Sequence, residues 1–310
     1  MRDTNAPTAG AMARVRWRAR DLAGNPWGKP RFLWVVGLGY VAWTLVPIVL
    51  AILLSFNPGR SISSLQGFSL RWYFTDPAES VWHDPALREA VVQSLKLAAV
   101  TVLIAVPLGV AFAVGMARWR GRGSGTTDFI MMFSFVAPEL IFAVALLLLF
   151  VNSFKFIGLG TTAQIAGLVT LSLAFVVVVI RARLLSLGKG YEEAAMDLGA
   201  SPLQAVRRIL LPLLFPATLA TSAMLFVFTL DDFVIANALS RDASTETIAI
   251  KIYAARGLPT PVVNALGSLM FLMSLIVAVV AFAFFRRITR GQPTGSQAPE
   301  GQKGGNFPIV

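Results

Sequence analysis

The chain has 310 residues, of which 56% are apolar and 14% charged. A soluble domain carries about 25% charged residues, so this composition excludes an ordinary water-soluble fold. The formal net charge of +11 is explained better by basic loops of a membrane protein than by nucleic acid, which we exclude as a partner. The sequence has no cysteine, which excludes disulfides and thiolate metal sites, and its single histidine, His83, is interpreted as solvated.

Six apolar runs predict six transmembrane helices, because each run is long enough to cross a bilayer core of about 30 Å. The predicted ranges are 32–56, 91–117, 127–151, 163–185, 212–236 and 262–288. The first run is too long for the core of a signal peptide, so we expect it to remain as a membrane anchor. Residues 1–30 and 291–310 lack an apolar period and predict disordered tails, the first of them basic and lying against anionic lipid.

Lysine and arginine are distributed unevenly among the connections. Nineteen lie in the two tails and in the second and fourth connections, against seven in the other three connections. The positive-inside rule therefore predicts that both termini are cytoplasmic, and with them the fourth connection, residues 186–211.

The fourth connection carries the stretch YEEAAMDLGASPLQAVRRILLPLLFPA, which is charged although it lies between two apolar runs. Glu192 and Glu193 suit the first turn of a helix, where acids complement the helix dipole. Gly199 suits a left-handed helix end, so the sequence predicts a short helix followed by a sharp bend.

A second short helix is predicted after the bend. Ser201 is a natural N-cap, Pro202 fits the first helical position and Gln204 completes a capping box. This helix should run to about residue 211, where Pro212 breaks or restarts it as the next span begins.

The first of these helices should present a small apolar face made of Ala194, Ala195 and Leu198. Such a face suits insertion into a groove on a partner protein. Local chemistry alone leaves open the alternative that the two helices form an amphipathic hairpin resting on lipid.

The same stretch resembles the cytoplasmic signature of ABC importer permeases: Glu-Ala-Ala, three residues, Gly, nine residues, Ile, one residue, Leu-Pro. Every spacing is met, by Glu193, Ala194, Ala195, Gly199, Ile209, Leu211 and Pro212. The resemblance implies that residues 186–211, Glu192 included, form a coupling loop seated in a cleft of an ATPase subunit. Glu193 would then contact that subunit, and Gly199 would set the bend.

Four further segments resemble the second permease subunit of spermidine/putrescine-type ABC importers. They are SFNPGRSISSLQGFSLRWY, APELIFAVALLLLF, FTLDDFVIANALS and TIAIKIYAARGLPTPVVNALGSL. The resemblance covers roughly residues 30 to 290. It implies an all-α integral membrane protein with the type I ABC importer permease fold, in which residues 31–290 form the six-helix transmembrane domain of a bacterial inner-membrane protein.

The resemblance also implies partners. They are a second homologous permease subunit, two ATPase subunits and an extracytoplasmic solute-binding protein that docks near residues 57–90 and 237–261. Closure of the ATPases on ATP would push the coupling loop and switch the spans between outward-open and inward-open states.

The sequence has no Gly-x-x-x-x-Gly-Lys-Ser/Thr loop and no metal-ligand spacing. We therefore expect no catalytic residue, metal or cofactor in this chain, which would not be an enzyme. ATP and Mg²⁺ would be bound by the partner ATPase.

Three acids within the apolar runs are candidates for the substrate pathway. A charge inside a span is costly, so it usually faces protein or water. Glu139 follows Pro138, which should kink the third span, and Asp231 and Asp232 lie towards the outer end of the fifth. We expect these carboxylates to favour a cationic solute; the structural alternative is that Lys96 pairs with one aspartate and Glu139 bonds to a neighbouring helix.

The function predicted is a permease subunit of an ATP-driven importer for putrescine, spermidine or a related small organic solute. Within the same superfamily, the alternative is an importer for another solute, such as an opine or an amino-acid derivative. An ion-coupled secondary transporter working alone is the alternative of another class, although the paired repeats common in such proteins are not found here. A membrane scaffold or sensor would carry no solute.

Overall fold

The structure is a computed structural model that describes residues 31–61, 64–118, 124–255 and 261–289. The two predicted tails, 1–30 and 291–310, lie outside these ranges. The described helices are α1 (Arg31–Ser55), α2 (Pro85–Arg118), α3 (Ser124–Val136), α4 (Glu139–Asn152), α5 (Thr161–Leu187), α6 (Gly190–Asp197), α7 (Pro202–Ala205), α8 (Leu211–Asp231), α9 (Val234–Ala238), α10 (Ile248–Ala254) and α11 (Pro261–Thr289). Short π turns span Arg71–Thr75 and Val206–Leu210, and a 3₁₀ turn spans Ala243–Thr245.

Five of the described helical stretches are long and apolar enough to cross a membrane, and the number is six when the bent pair α3 and α4 is counted as one span. The six predicted spans therefore correspond to observed helices, with two changes of path described below. Span length follows from the thickness of the bilayer, which is why the apolar runs located the helices.

The chain divides into two compact units between Leu53 and Leu54. The first unit contains nearly all of α1, whose residues from Leu33 to Leu50 are all exposed. A helix that is apolar all round belongs in lipid or against other apolar helices, so this exposure fits a membrane span.

The second unit is packed around α2, α5 and α8. Gly109 of α2 lies directly against Val176 of α5, and a Cβ atom at Gly109 would lie 2.5 Å from Val176 Cγ1. A Cβ atom at Gly167 of α5 would lie 2.7 Å from Leu239 Cδ1. Small residues at both places allow the helix backbones to approach closely, as is usual inside membranes.

The third span is broken, whereas the sequence predicted one kinked helix over 127–151. The axes of α3 and α4 differ by 106° at Ala137 and Pro138. Proline has no N–H and disfavours helical geometry in the residue before it, so α3 ends here. Pro138 itself is extended, with ψ 126°, and its carbonyl oxygen accepts the first helical hydrogen bond of α4, from the N–H of Phe142.

The fifth span also differs from its predicted range, 212–236. At the start of this span, Pro212 does not interrupt the helix. α7 continues through the π turn into α8 as one helical stretch of 30 residues, Pro202–Asp231. At its end, α8 stops at Asp231 because Asp232 is extended, with ψ 119°, and the chain restarts as α9. The prediction of a separate second short helix was therefore wrong.

Candidate functional site

The bend predicted in the 186–211 loop is present. Gly199 has φ +90°, a conformation that side chains other than glycine's rarely adopt, and open space lies beside it. Its N–H donates to Met196 O at 2.9 Å, and the N–H of Ala200 donates to Ala195 O at 3.0 Å. These two bonds cap the C-terminal end of α6 by satisfying carbonyl groups of its last turn. These bonds confirm that Gly199 turns the chain between α6 and α7.

The predicted capping box at the start of α7 is also confirmed. Ser201 Oγ accepts from the N–H of Gln204 at 3.3 Å, and Gln204 Oε1 accepts from the N–H of Ser201 at 2.9 Å. Pro202 occupies the first turn of α7, where its missing N–H is not needed.

The outer surface of the loop is apolar on both sides of the bend. Leu198 is 91% exposed and Leu203 is 77% exposed, while Glu193 and Ala194 are exposed on α6. The predicted face of Ala194, Ala195 and Leu198 needs one correction, since Ala195 is buried. Ala195 lies three residues after Glu192, which is buried too, so both belong to the inner face of α6.

Glu192 is held inside the permease. Nε of Arg118, the last residue of α2, donates to Glu192 Oε2 at 2.8 Å, and Nη2 of Arg118 donates to Oε1. This two-pronged ion pair joins the start of α6 to the end of α2. The sequence placed Arg118 only among the basic cytoplasmic residues, and it gave no signal that Glu192 was its partner.

The last three residues of the loop signature lie at the junction of the π turn and α8. Ile209 is half-buried, whereas Leu211 and Pro212 are exposed. The residues that fasten this junction are the buried neighbours Leu210 and Leu214, which belong to the core between α2, α5 and α8.

Two of the three pathway acids meet where the two broken spans face each other. Glu139 is the first residue of α4, and its side chain lies beside that of Asp232, between α8 and α9. Asp232 Oδ1 also accepts from the N–H groups of Ile235 and Ala236, at 3.1 Å each. Asp232 therefore caps the restarted helix while it contacts Glu139.

The third candidate acid is Asp231, and the structural alternative pairs Lys96 with one of the two aspartates. Asp231 is exposed at the last turn of α8, and Lys96 is exposed on α2. Neither forms an ion pair with another residue in the described part of the chain. The structural alternative in which Lys96 pairs with an aspartate is therefore wrong, while Glu139 lies beside Asp232 of a neighbouring element.

A cavity of about 120 Å³ opens beside Asp232 between α5 and α8. The rings of Phe175 and Phe228 meet edge to face at its wall, with centroids 5.4 Å apart. Ser172 and Thr229 add hydroxyl groups. The cavity thus combines one carboxylate, two aromatic rings and two hydroxyls, which is a suitable surface for an alkylammonium group.

A buried amide network supports the same region, and sequence reasoning did not name it. Gln164 of α5 is fully buried; its Nε2 donates to Ala236 O at 2.8 Å and to Thr245 O at 2.9 Å. Gln164 Oε1 accepts from Gln93 Nε2 of α2 at 2.9 Å. Glutamines inside apolar runs were the available signal, because polar groups in a span need partners.

Known proteins resemble this chain along most of its length. A family model described as "Binding-protein-dependent transport system inner membrane component" matches residues 105–291. The spermidine/putrescine transport system permease protein PotC of Escherichia coli (strain K12) is 31% identical over 251 residues, covering 81% of this chain and 92% of PotC. The putrescine transport system permease protein PotI of the same strain is 34% identical over 246 residues, covering 78% and 86%.

Solved structures share the fold. A chain of a bacterial ABC transporter involved in the import of the acidic polysaccharide alginate superposes with a TM-score of 0.68 at 18% identity, covering 89% of this chain and 99% of that one. A chain of the MetNI methionine ABC transporter, in an inward-facing conformation, gives 0.54 at 20% identity, covering 66% and 94%. These likenesses concern the fold, and they confirm the predicted all-α architecture of type I ABC importer permeases.

Proposed function

Because the chain belongs to the family of binding-protein-dependent transport system inner membrane components, we propose that it is the permease subunit of an ATP-driven importer for putrescine, spermidine or a related organic cation. The chain is a multi-pass inner-membrane transport component. We place both its termini in the cytoplasm, on the excess of basic residues in the tails and in the second and fourth connections.

The observation that carries the cationic solute is the contact between Glu139 and Asp232. Two carboxylates that lie side by side repel each other when both are ionised, so the pair favours a positive charge near them. A primary ammonium group offers three donors and a positive charge, so it would bond to both side chains and offset their repulsion. The adjacent aromatic wall of Phe175 and Phe228 would contact the alkyl chain.

The test is uptake of radiolabelled putrescine and spermidine by cells that express the whole transporter, with and without this subunit. In the double variant Glu139→Gln, Asp232→Asn we expect the KM for uptake to rise roughly tenfold or more, the amount expected for a lost charge-assisted hydrogen bond. Asn keeps an oxygen for the N–H groups of Ile235 and Ala236, so the restarted helix should persist. Asp128→Asn, which neutralises an exposed acid on α3 outside the proposed pathway and docking surfaces, is the matched control.

Either of two results would count against the cation pathway. Normal uptake by the double variant, and by a triple variant that adds Asp231→Asn, would remove the acids from the pathway. Absence of polyamine uptake by the intact transporter, with an ATPase subunit still co-purifying, would favour an importer for another solute, such as an opine or an amino-acid derivative.

We propose that the 186–211 loop docks on an ATPase subunit and that the assembly contains a second homologous permease and two ATPase subunits. The exposure of Leu198 and Leu203 on either side of the Gly199 bend supports a protein contact here. ATP and Mg²⁺ would bind to the ATPase subunits, because this sequence has no phosphate-binding loop. Leu198→Asp should lower the amount of ATPase subunit that co-purifies; unchanged recovery would contradict docking at this bend.

Residues 57–90 and 237–261 are proposed as the surface for an extracytoplasmic solute-binding protein. In the first segment, the buried indole of Trp72 donates to Asn57 O at 2.6 Å, and Asn57 Nδ2 donates to Ser61 O at 2.7 Å. These bonds fold the loop into a fixed platform that presents Phe74 and Trp82 at its surface. Such exposed aromatic side chains are common anchors at protein interfaces.

An ion-coupled secondary transporter, the alternative of another class, would work without an ATPase. Co-purification distinguishes the two directly: a transporter that imports solute when purified without any ATPase subunit would overturn the proposed function.

A further inference from the structure

Glu192 and Arg118 stand out in the cytoplasmic half of the molecule because their ion pair joins two elements that lie far apart in sequence. Glu192 is 8% exposed, although its neighbours Tyr191 and Glu193 on the same short helix are exposed. Both carboxylate oxygens of Glu192 are bonded by the guanidinium of Arg118. Two parallel bonds of this kind fix orientation as well as distance.

The pair suits the ends of both helices that it joins. Arg118 is in the last turn of α2, where a cation complements the helix dipole, and Glu192 is in the first turn of α6, where an anion does so. Successive residues of a helix point about 100° apart, so holding Glu192 inward turns Glu193 outward. The ion pair therefore decides which side of α6 faces a partner.

The helix that receives this contact extends to the other end of the second unit. α2 has 34 residues, and a helix of that length spans about 50 Å. Near its opposite end, Gln93 Nε2 donates to Gln164 Oε1 at 2.9 Å, and Ser94 Oγ accepts from the N–H of Ile248 at 2.9 Å. One helix thus contacts the 186–211 loop at one end and α5 and α10 at the other, and Gln164 of α5 in turn bonds to the carbonyl of Ala236, four residues after Asp232.

We propose that the Arg118–Glu192 ion pair is the joint through which movement of the 186–211 loop is passed to α2, and that Arg118 and Glu192 are positioning residues for transport. This inference rests on the proposed function, in which an ATPase subunit moves that loop. In this arrangement Glu193 belongs to the contact with the ATPase and Glu192 to the contact inside the permease. Without the ion pair, ATP hydrolysis should continue but should be less tightly coupled to solute transport.

The test is a charge exchange in the complete transporter reconstituted in lipid vesicles, with the ratio of ATP hydrolysed to putrescine imported as the readout. Glu192→Arg and Arg118→Glu should each raise that ratio about fivefold or more, the lower range of typical coupling between sites. The double exchange Arg118→Glu, Glu192→Arg restores an ion pair and should return the ratio close to that of the unmodified protein. Arg183→Glu, which reverses an exposed arginine on α5, is the matched control.

Should a charge reversal prevent assembly, Glu192→Gln weakens the pair while it keeps a similar shape, and the same rise in ratio is expected. The proposed role of the ion pair is refuted if the ratio of ATP hydrolysed to putrescine imported is unchanged in Glu192→Gln. It is also refuted if the double exchange does not restore coupling. Loss of the ATPase subunit from the Glu192→Gln complex also overturns it, because the ion pair would then govern docking of the ATPase and not the transfer of movement to α2. If no ATPase subunit co-purifies with the unmodified chain, the proposed function itself is wrong.

Discussion

The side-chain amides of Gln93 and Gln164 meet within the second unit, where Gln93 Nε2 donates to Gln164 Oε1 at 2.9 Å. Through Gln164 Nε2 the same contact continues to the carbonyls of Ala236 and Thr245. α2, α5, α9 and the 3₁₀ turn are therefore held by a single buried side chain. The residues that take part, Gln93, Gln164, Ala236 and Thr245, are all buried, so water cannot replace a lost hydrogen-bond partner.

Gln164→Leu should lower the stability of the purified protein. Each buried group left without a partner costs about 1–3 kcal/mol. The substitution removes the side-chain donor to the carbonyls of Ala236 and Thr245, and it leaves Gln93 Nε2 bonded only to Thr161 Oγ1. We expect a drop of several degrees in the midpoint of thermal unfolding in detergent. Asn152→Leu removes an exposed amide instead and should leave that midpoint nearly unchanged; equal midpoints for both variants would contradict the role of Gln164.

Gly109→Ala tests the packing of α2 on α5. The added methyl group would lie 2.5 Å from Val176 Cγ1, and overpacking of this kind costs about 1–3 kcal/mol. Gly115→Ala on the same helix is the matched control, because nothing lies within 4 Å of its Cβ position. Thermal unfolding should show Gly109→Ala destabilised, Gly115→Ala neutral or stabilised, and the loss recovered by Gly109→Ala, Val176→Ala.

The loop that carries Trp72 should depend on acid pH. Backbone N–H groups of Glu79 and Ala78, and then the Arg71 guanidinium, lower the pKa of Asp76 from 3.8 to about 2. A lowered pKa means that the ionised form stabilises the folded loop: this contribution is complete above about pH 4 and is lost as pH falls towards 2. Amide exchange of residues 70–84, corrected for its intrinsic rate, should rise over that window.

Asp76→Asn provides the comparison for this pH dependence. The variant should exchange faster at pH 6 and show no further rise between about pH 4 and 2, because it has no carboxylate to protonate. If the unmodified protein and Asp76→Asn show the same acid profile, another group controls the loop.

Gly199→Pro should abolish solute-stimulated ATP hydrolysis while leaving membrane insertion intact. Proline fixes φ near −65°, whereas Gly199 has φ +90°, so the bend between α6 and α7 cannot form. The matched control is Gly190→Ala, at the start of α6, where no atom lies within 4 Å of the Cβ position. Stimulated hydrolysis at the unmodified level in Gly199→Pro would refute the account of the bent loop.

The features that the sequence predicted correctly are those set by local chemistry or by the bilayer. Apolar runs located the spans because membrane thickness dictates their length. The bend at Gly199 and the capping box of Ser201 and Gln204 depend on residues within a few positions of each other, so the pattern contained the answer.

The features that were missed depend on distant parts of the chain. Pro138 was visible in the sequence, but the size of the bend that it allows is determined by what α4 packs against. Ala195 was assigned to an exposed face, but it lies on the same inner side of α6 as Glu192. That side is held inward by Arg118, which is 74 positions from Glu192 and could not be recognised as its partner. Asp232 was predicted as a pathway acid, and its second role as a helix cap appears only when Ile235 and Ala236 are placed beside it.

Asp232 supplies both a negative charge and the oxygen that caps α9, but only the oxygen is needed for the cap. The N–H groups of Ile235 and Ala236 need an oxygen acceptor, which the amide of asparagine supplies as well as a carboxylate does. A descendant of this protein could therefore exchange a negative charge for a neutral amide at this position in a single mutational step and retain the same broken helix. The electrostatic preference of the proposed pathway could then change while the backbone around it stays the same.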